Sequence, residues 1–345
     1  MRISGYVARR LLLLFPVMLG ISVITFALSN IATDPIGAYI TDRTPVSVIA
    51  EIRKAYHFDD PLPIQYFYYL TSLVRGDWGL SRSMSNEPVT GVIRRLFPAS
   101  IELAVVAVLF QIVVGIPLGV ISATRKDKAL DHGSRLLAIS GTAIPVFWLG
   151  LLMQYFLFYQ MKLGGLPYLP SAGRVNEFVL LAHPLKTITG FVLIDSILTS
   201  NFPVFLDALA HIAMPAFVLG FAGLGLITRI TRSSMLEVLR QDYITLARAK
   251  GLPERIVIYK HALRNAINPT ITVMGIVFGN TLSGAPLVET VFSWPGLGRW
   301  AALAITGDDL PAIMGFVIVA GFIFVLVNLI VDILYSIADP RVRLG

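Results

Sequence analysis

The 345-residue sequence contains no cysteine, which excludes disulfide staples, thiol catalysis and cysteine-ligated metals. Charge is also scarce. Asp, Glu, Lys and Arg make up 14% of the chain, where a soluble domain carries about a quarter. Histidine is limited to His57, His132, His183, His211 and His261. They are too widely spaced for an HExxH pair, and each reads as a loop or interface residue, so no metal site is expected. No glycine-rich loop ending in Lys-Ser or Lys-Thr occurs, so the chain has no phosphate cradle of that type and is not expected to hydrolyse ATP. No GxSxG elbow presents a serine nucleophile. No catalytic residue can be named, and the chain is not expected to be an enzyme.

What the chain has in abundance is apolar sequence. Hydrophobic residues form 55% of it and the mean hydropathy is +0.74, so lipid is the expected solvent. A helix needs about 20 apolar residues to cross the hydrocarbon. Six runs qualify: residues 11–31, 98–123, 136–159, 210–228, 269–291 and 311–336. The expected fold class is therefore all-α, a polytopic membrane helix bundle with six transmembrane helices. The first run follows Arg2, Arg9 and Arg10 as a signal peptide would, but it exceeds the roughly 7–15 residues of a signal core and reads as a retained helix. Pro16, Pro117, Pro145 and Pro215 fall within the runs, where neighbouring helices can re-satisfy freed backbone groups. Gly115/Gly119 and Gly275/Gly279 have the four-residue glycine spacing that lets membrane helices approach closely.

The net charge of +7 admits a nucleic-acid partner, but the basic residues flank apolar spans as membrane topology requires. With the N-terminus placed inside, the inner segments 1–10, 124–135, 229–268 and 337–345 hold 17 Lys and Arg in 71 residues. The outer segments 33–96, 160–208 and 292–310 hold 11 in 132 residues. That asymmetry puts both termini in the cytoplasm. The organisation expected is an N-terminal transmembrane helix (1–32), an external segment (33–96), a five-helix core (97–336) with a cytoplasmic loop at 229–268, and a cytoplasmic tail (337–345). The external segment, with PLPIQYFYYL at 61–70, should form short surface helices. TGFVLIDSIL at 189–198 is too short to cross and reads as re-entrant or interfacial.

The loop 229–268 is the most informative stretch. Its centre reads DYITLARAKGLPERIVIYKHALRNAINP (242–269). Leu246, Ala247 and Ala249 favour helix, Gly251 suits a left-handed helix cap, and Pro253 can open a second helix. Ile256, Tyr259, Leu263 and Ile267 recur at three- and four-residue intervals and form one helical stripe. The result is a helix–turn–helix. Its basic residues Arg248, Lys250, Arg255, Lys260 and Arg264 could meet lipid headgroups. Tethering to the membrane at both ends argues against nucleic acid. The small-residue turn Ala247, Ala249, Gly251 suits insertion into a protein groove.

This segment resembles the EAA loop of binding-protein-dependent ABC importer permeases. GDWGLS (76–81), LFPASIEL (96–103), ETVFSWPGLGRW (289–300) and NLIVDILYSIADPRVR (328–343) resemble the dipeptide and oligopeptide branch, of DppB/OppB type, in the same order. LPSAGRV (169–175) and TGFVLIDS (189–196) look most like the dipeptide type. The loop departs from a literal Glu-Ala-Ala in opening with Asp242-Tyr243 and Leu246-Ala247.

The resemblance implies a type I ABC importer permease fold that carries dipeptides or short oligopeptides across the plasma (inner) membrane. It also implies that Asp242, Tyr243, Ala247, Ala249, Lys250, Gly251 and Leu252 couple to an ATPase. The implied partners are a second homologous permease subunit, two ATP-binding subunits that hold ATP and Mg, an extracytoplasmic solute-binding protein, the peptide substrate and the lipid membrane, with no nucleic acid. No cofactor belongs to this chain. The same fold also imports haem, nickel chelates and oligosaccharides, and an ATP-independent secondary transporter is the alternative of another class. That alternative would not need the long inner loop, and no inverted repeat supports it. Ionisable and polar residues in spans are candidate pathway or gate residues: Glu289, Asn328 and Asp332, with Glu102 as another carboxylate near a span end. No proton relay can be traced through the spans.

Overall fold

A computed structural model describes residues 3–32, 36 and 44–338, without the side chains of 3–11, 28, 29, 31, 32, 280, 283, 284 and 331–338. Most of the described chain is helical. Its only sheet is a two-residue hairpin, β1 (Leu80–Ser81) antiparallel to β2 (Glu87–Pro88). The chain resolves into two compact units. One comprises Ala99–Trp294 and the chain from Val327 onward; the other comprises Arg2–Pro98 and Pro295–Leu326.

The helices in order are α1 (Ile3–Ala32), α2 (Val46–Ala55), α3 (Leu62–Arg75), α4 (Val89–Thr124), α5 (Ala129–Ala143), α6 (Val146–Met153), α7 (Met161–Leu163), α8 (Glu177–Ala182) and α9 (Val192–Leu198). They continue as α10 (Phe202–Val238), α11 (Asp242–Ala249), α12 (Glu254–Ile256), α13 (Leu263–Val291), α14 (Leu297–Thr306) and α15 (Leu310–Ala338). Among the described residues, Val89–Thr124, Phe202–Val238 and Leu310–Ile330 are long and apolar enough to cross a membrane. Ala129–Ala143 with Val146–Leu163 makes a fourth if taken as one broken span, and Leu12–Ala27 is a shorter apolar helix.

The single span expected at 136–159 is two helices bent by 109°. Pro145 bars Ile144 from helical backbone, and Ile144 sits at φ −85°, ψ 122°. Beyond the bend, α6 runs into a π-helical stretch, Gln154–Gln160, before α7. The external stretch forms short helices, α2 and α3, as expected, and the 189–198 run contributes only the seven-residue α9.

In the first unit α10 is the central post. Asn201 caps its start by accepting from the Val204 N–H, and Pro203 occupies the first turn, which suits a residue with no N–H to donate. Its glycines face three different helices. A Cβ at Gly220 would meet the Ala107 carbonyl of α4 at 2.9 Å, one at Gly223 would meet Val277 of α13 at 2.6 Å, and one at Gly225 would meet the Ala138 carbonyl of α5 at 2.6 Å. The Gly115/Gly119 pair completes the α4 contact. Its missing side chains leave room for Ile227 and Thr231 of α10, and the Gly115 carbonyl accepts from the Thr228 hydroxyl at 3.3 Å. Lipid supplies little hydrophobic drive between helices, so close backbone contact of this kind supplies the packing energy.

In the second unit, fully buried Asp309 is the anchor. It accepts from the Ser81 and Ser83 hydroxyls at 2.7 and 2.8 Å and from the Ser83 and Ala312 N–H groups. The Trp300 indole donates to Ser81 at 3.1 Å, so the hairpin, α14 and the start of α15 share one hydrogen-bond network.

Candidate functional site: an exposed helix–turn–helix

The turn after α11 is built by backbone chemistry. Gly251, at φ +75°, occupies the left-handed region that glycine enters without steric cost. Its N–H donates to the Arg248 carbonyl at 2.9 Å, and the Leu252 N–H reaches the Ala247 carbonyl at 3.4 Å. This pair of bonds is a Schellman cap, which satisfies carbonyls that a helix end leaves open. Pro253 follows as the N-cap of α12, one position earlier than the first turn expected for it. Arg248 then clamps the two helices. Its Nε and Nη2 donate to Glu254 at 3.2 and 2.7 Å, which holds the Glu254 carboxyl below the usual carboxylate range.

The base of the turn is fixed by a small apolar core. Ile244 and Ala247 of α11 pack with Val120 and Ala123 of α4, Met235 of α10, Val257, Ala262 and Ala266, and Leu252 packs against them. The helical stripe expected from the sequence divides: Leu263 packs against this core and Ile267 is half-buried. Ile256 and Tyr259 are exposed, while Val257, Ala262 and Ala266 face inward. The cause is a π-helical stretch, Val257–Ala262, whose wider turn shifts the register off the 3.6-residue period.

The predicted coupling residues therefore divide. Ala247 is a core residue, and Leu252 is half-buried against the same core. Asp242, Tyr243, Ala249, Lys250 and Gly251 are exposed, together with Leu246. The Tyr243 hydroxyl accepts from the Asn265 amide at 2.9 Å, which fixes that ring against the following helix. A Cβ at Gly251 would meet nothing within 4 Å. The turn thus presents Tyr243, Leu246, Ala249 and Gly251 with the charged Asp242, Arg248 and Lys250 beside them, suited to insertion into a groove rather than to reaction chemistry. Among the described residues no cluster could hold a metal ion.

The predicted pathway residues lie on two helices, Glu289 on α13 and Asn328 and Asp332 on α15. Glu289 is fully buried and accepts from the Ser100 hydroxyl at 2.6 Å. Asn328 is half-buried on α15, and the Asp332 side chain lies outside the described residues. Glu102 is buried too. It is ion-paired to Arg174 and accepts from the Leu193 N–H at 2.8 Å, while Arg174 donates to the Gly190 carbonyl at 3.1 Å and lies over the Trp294 ring. It is a brace for the 174–193 segment rather than a carboxylate reaching water.

Sequence reasoning missed a second charged hub. Asp131 is fully buried and accepts from Arg232 Nε and Nη2 at 2.6 and 2.9 Å, from the Ser122 hydroxyl at 2.6 Å, and from Arg135. It ties α4, α5 and α10 together at the same end as the helix–turn–helix core. Only the separation of 101 residues hid the pair. The signal was a pair of acidic residues, Asp127 and Asp131, inside a basic loop.

Comparison with known proteins agrees with this architecture. Residues 115–344 match the family described as binding-protein-dependent transport system inner membrane component, and residues 3–104 match its N-terminal membrane component. The chain is 44% identical over 330 residues to a probable D,D-dipeptide transport system permease protein, DdpB, of Escherichia coli, covering 95% of this chain and 94% of that protein. It is 41% identical over 342 residues to the dipeptide transport system permease protein DppB of the same organism, covering 98% of each chain. It is 35% identical over 341 residues to the oligopeptide transport system permease protein AppB of Bacillus subtilis, covering 99% of each. The chain belongs to the binding-protein-dependent transport system inner membrane component family, as an all-α polytopic permease subunit without a catalytic centre of its own.

Proposed function

We propose that this chain is the permease subunit of an ATP-driven importer that moves dipeptides or short oligopeptides across the plasma membrane. The peptide substrate is supported by the names of its relatives. The observation that carries the mechanism is the exposed Schellman turn, with an open space where a Gly251 side chain would stand.

In this reading the turn docks in a groove of an ATP-binding subunit, with Tyr243, Leu246, Ala249, Lys250 and Gly251 at the contact and Asp242 at its edge. Ala247 and Leu252 transmit the displacement into the core shared with α4, α10 and α13. A conformational shift requires contacts that differ between states. Nucleotide-driven movement of the groove would supply that difference, with ATP and Mg held by two partner subunits. A second, homologous permease subunit completes the pathway, and a solute-binding protein delivers peptide to the outer stretches 33–96 and 160–208. The basic-residue asymmetry supports six crossings with both termini cytoplasmic. Glu289, Asn328 and Asp332 remain candidates for the pathway, Glu289 through the opening of its bond to Ser100.

Co-purification of the tagged chain, with an ATPase assay, tests this reading. Gly251→Trp fills the open space, whereas Gly251→Asn keeps a residue that tolerates the left-handed region. The expected result is that wild type and Gly251→Asn retain an ATP-binding partner, while Gly251→Trp inserts in the membrane but loses the partner or its stimulated activity. A wild-type chain that purifies alone and transports in liposomes without ATP would overturn it.

A further inference from the structure

A cavity of about 430 Å³ lies wholly within the second unit. It is bounded by the C-terminal end of α1, by α3 and by the first turns of α15 (Leu310, Met314, Gly315). Leu310–Ile330 of α15 is long and apolar enough to cross a membrane and Leu12–Ala27 of α1 is a shorter apolar helix, so the cavity adjoins the ends of two apolar helices. Phe26, Tyr56, Phe58, Tyr68, Tyr69 and Trp78 put aromatic rings in its walls, the residue types enriched at membrane interfaces.

These walls are preorganised by bonds of their own. Tyr69 stacks on Phe26, with ring centres 5.6 Å apart, and His57 stacks on Tyr68 at 3.6 Å. The Trp78 indole donates to the Leu73 carbonyl, and the Gln65 amide donates to the Phe58 and Asp60 carbonyls.

Two donors in the lining are left over. The Tyr69 hydroxyl is buried with no hydrogen-bond partner. Burial, followed by Tyr66, pushes its pKa up, so it remains a donor. Arg75 has no ion-pair partner among the described residues, and the nearby Asp77 carboxylate is engaged by the Gly79 N–H at 3.2 Å. A buried hydroxyl without a partner is destabilising, which an occupant with acceptor oxygens would relieve. The volume falls within the range of about 300–1,000 Å³ typical of small-molecule sites.

We propose that this cavity binds a membrane phospholipid, with Arg75 and Tyr69 donating to the phosphodiester and the aromatic walls enclosing the glycerol and the start of the acyl chains. The guanidinium matches phosphate oxygens geometrically. Phospholipid also presents acceptor oxygens and apolar carbon together, beside the ends of two apolar helices. A free peptide brings an ammonium as well as a carboxylate, and Asp77 in the lining could meet it, so the competition with a dipeptide below separates the two occupants. A lipid held here would fasten α1 to α3 and α15.

The test uses the complete transporter purified in mild detergent, delipidated and then re-exposed to phosphatidylethanolamine–phosphatidylglycerol mixed micelles. Bound phospholipid is counted by native mass spectrometry. Wild type is expected to retain phospholipid, and Arg75→Gln to weaken retention about tenfold, the equivalent of one lost charge-assisted bond. Tyr69→Phe removes a single oxygen, so it should fold normally and still weaken retention, which covers the case in which Arg75→Gln fails to assemble. Wild type that retains no phospholipid, or variants that retain it unchanged, would overturn the proposal. So would displacement by a dipeptide, which would make this a peptide site, or by inorganic phosphate alone, which would make it a site for the free anion.

Discussion

Asp131→Asn is a demanding test of how the helices are held at the end that carries the helix–turn–helix. Asp131 has no exposed surface and takes both Arg232 donors at 2.6 and 2.9 Å, the Ser122 hydroxyl at 2.6 Å and the Asp127 N–H at 2.9 Å. The substitution keeps the shape and removes the charge, leaving a guanidinium about one-fifth exposed facing a neutral amide. Breaking a buried pair from one side costs about 3–5 kcal/mol. Some of the Arg232 charge can reach water, so about 3 kcal/mol is expected. For a chain of 345 residues that corresponds to a fall of roughly 4 °C in the apparent melting temperature, read by thermal denaturation of the detergent-solubilised complex. The second arm is Asp131→Asn with Arg232→Met. Removing both charges spares the uncompensated one, so the double variant should be at least about 1 kcal/mol more stable than the two single losses added together. Strict additivity would refute the claim that the two side chains act as one buried pair.

Three smaller predictions follow from other contacts. Gly119→Val places a side chain where the Thr231 Cβ stands 2.6 Å and the Thr228 carbonyl 2.8 Å from even a first carbon. It should cost about 1–3 kcal/mol by overpacking, seen as lower recovery of folded protein by fluorescence-detected size exclusion. Glu102→Gln should loosen the 174–193 segment without unfolding the bundle, read as faster hydrogen exchange of the Leu193 and Gly190 region; unchanged exchange would sink the brace. The Arg248–Glu254 clamp should fade in acid. Glu254 has a lowered folded pKa, so its contribution is present above the unfolded value near 4.3 and is lost as pH falls through the lower folded value. Both groups are about half exposed, so the loss should be under about 1 kcal/mol, seen as increased proteolysis of the 248–254 turn below that pH but not at pH 7.

The parts legible in the sequence were those encoded locally. Gly251 before Leu252-Pro253 specifies a cap whatever surrounds it, and the Gly115/Gly119 spacing announced a close helix contact that α10 then supplies. The end of α6's predecessor was harder. Pro117 and Pro215 lie within continuous helices while Pro145 breaks the chain by 109°. The chemistry at all three is the same, and neighbouring helices decide the outcome. The split of the 256–267 stripe into exposed Ile256 and Tyr259 and half-buried Leu263 and Ile267 has a similar origin, because a π-helical stretch inserts a register shift that no 3.6-residue template contains. Asp131–Arg232 and Glu102–Arg174 were illegible for another reason. Each joins residues 72 or more apart in the chain, and charge alone does not say which partner a carboxylate will find.

The absence of native cysteine permits one direct measurement of the central claim, that the exposed face of the helix–turn–helix docks on an ATP-binding subunit. Ala249→Cys, labelled with a maleimide photocrosslinker in native membranes, is expected to crosslink to the ATP-binding subunit, with a yield that changes when nucleotide is bound. Tyr259→Cys, exposed beyond the turn, is expected to give a lower yield. Crosslinking of Ala249→Cys to lipid alone, or to no protein at all, would contradict the account.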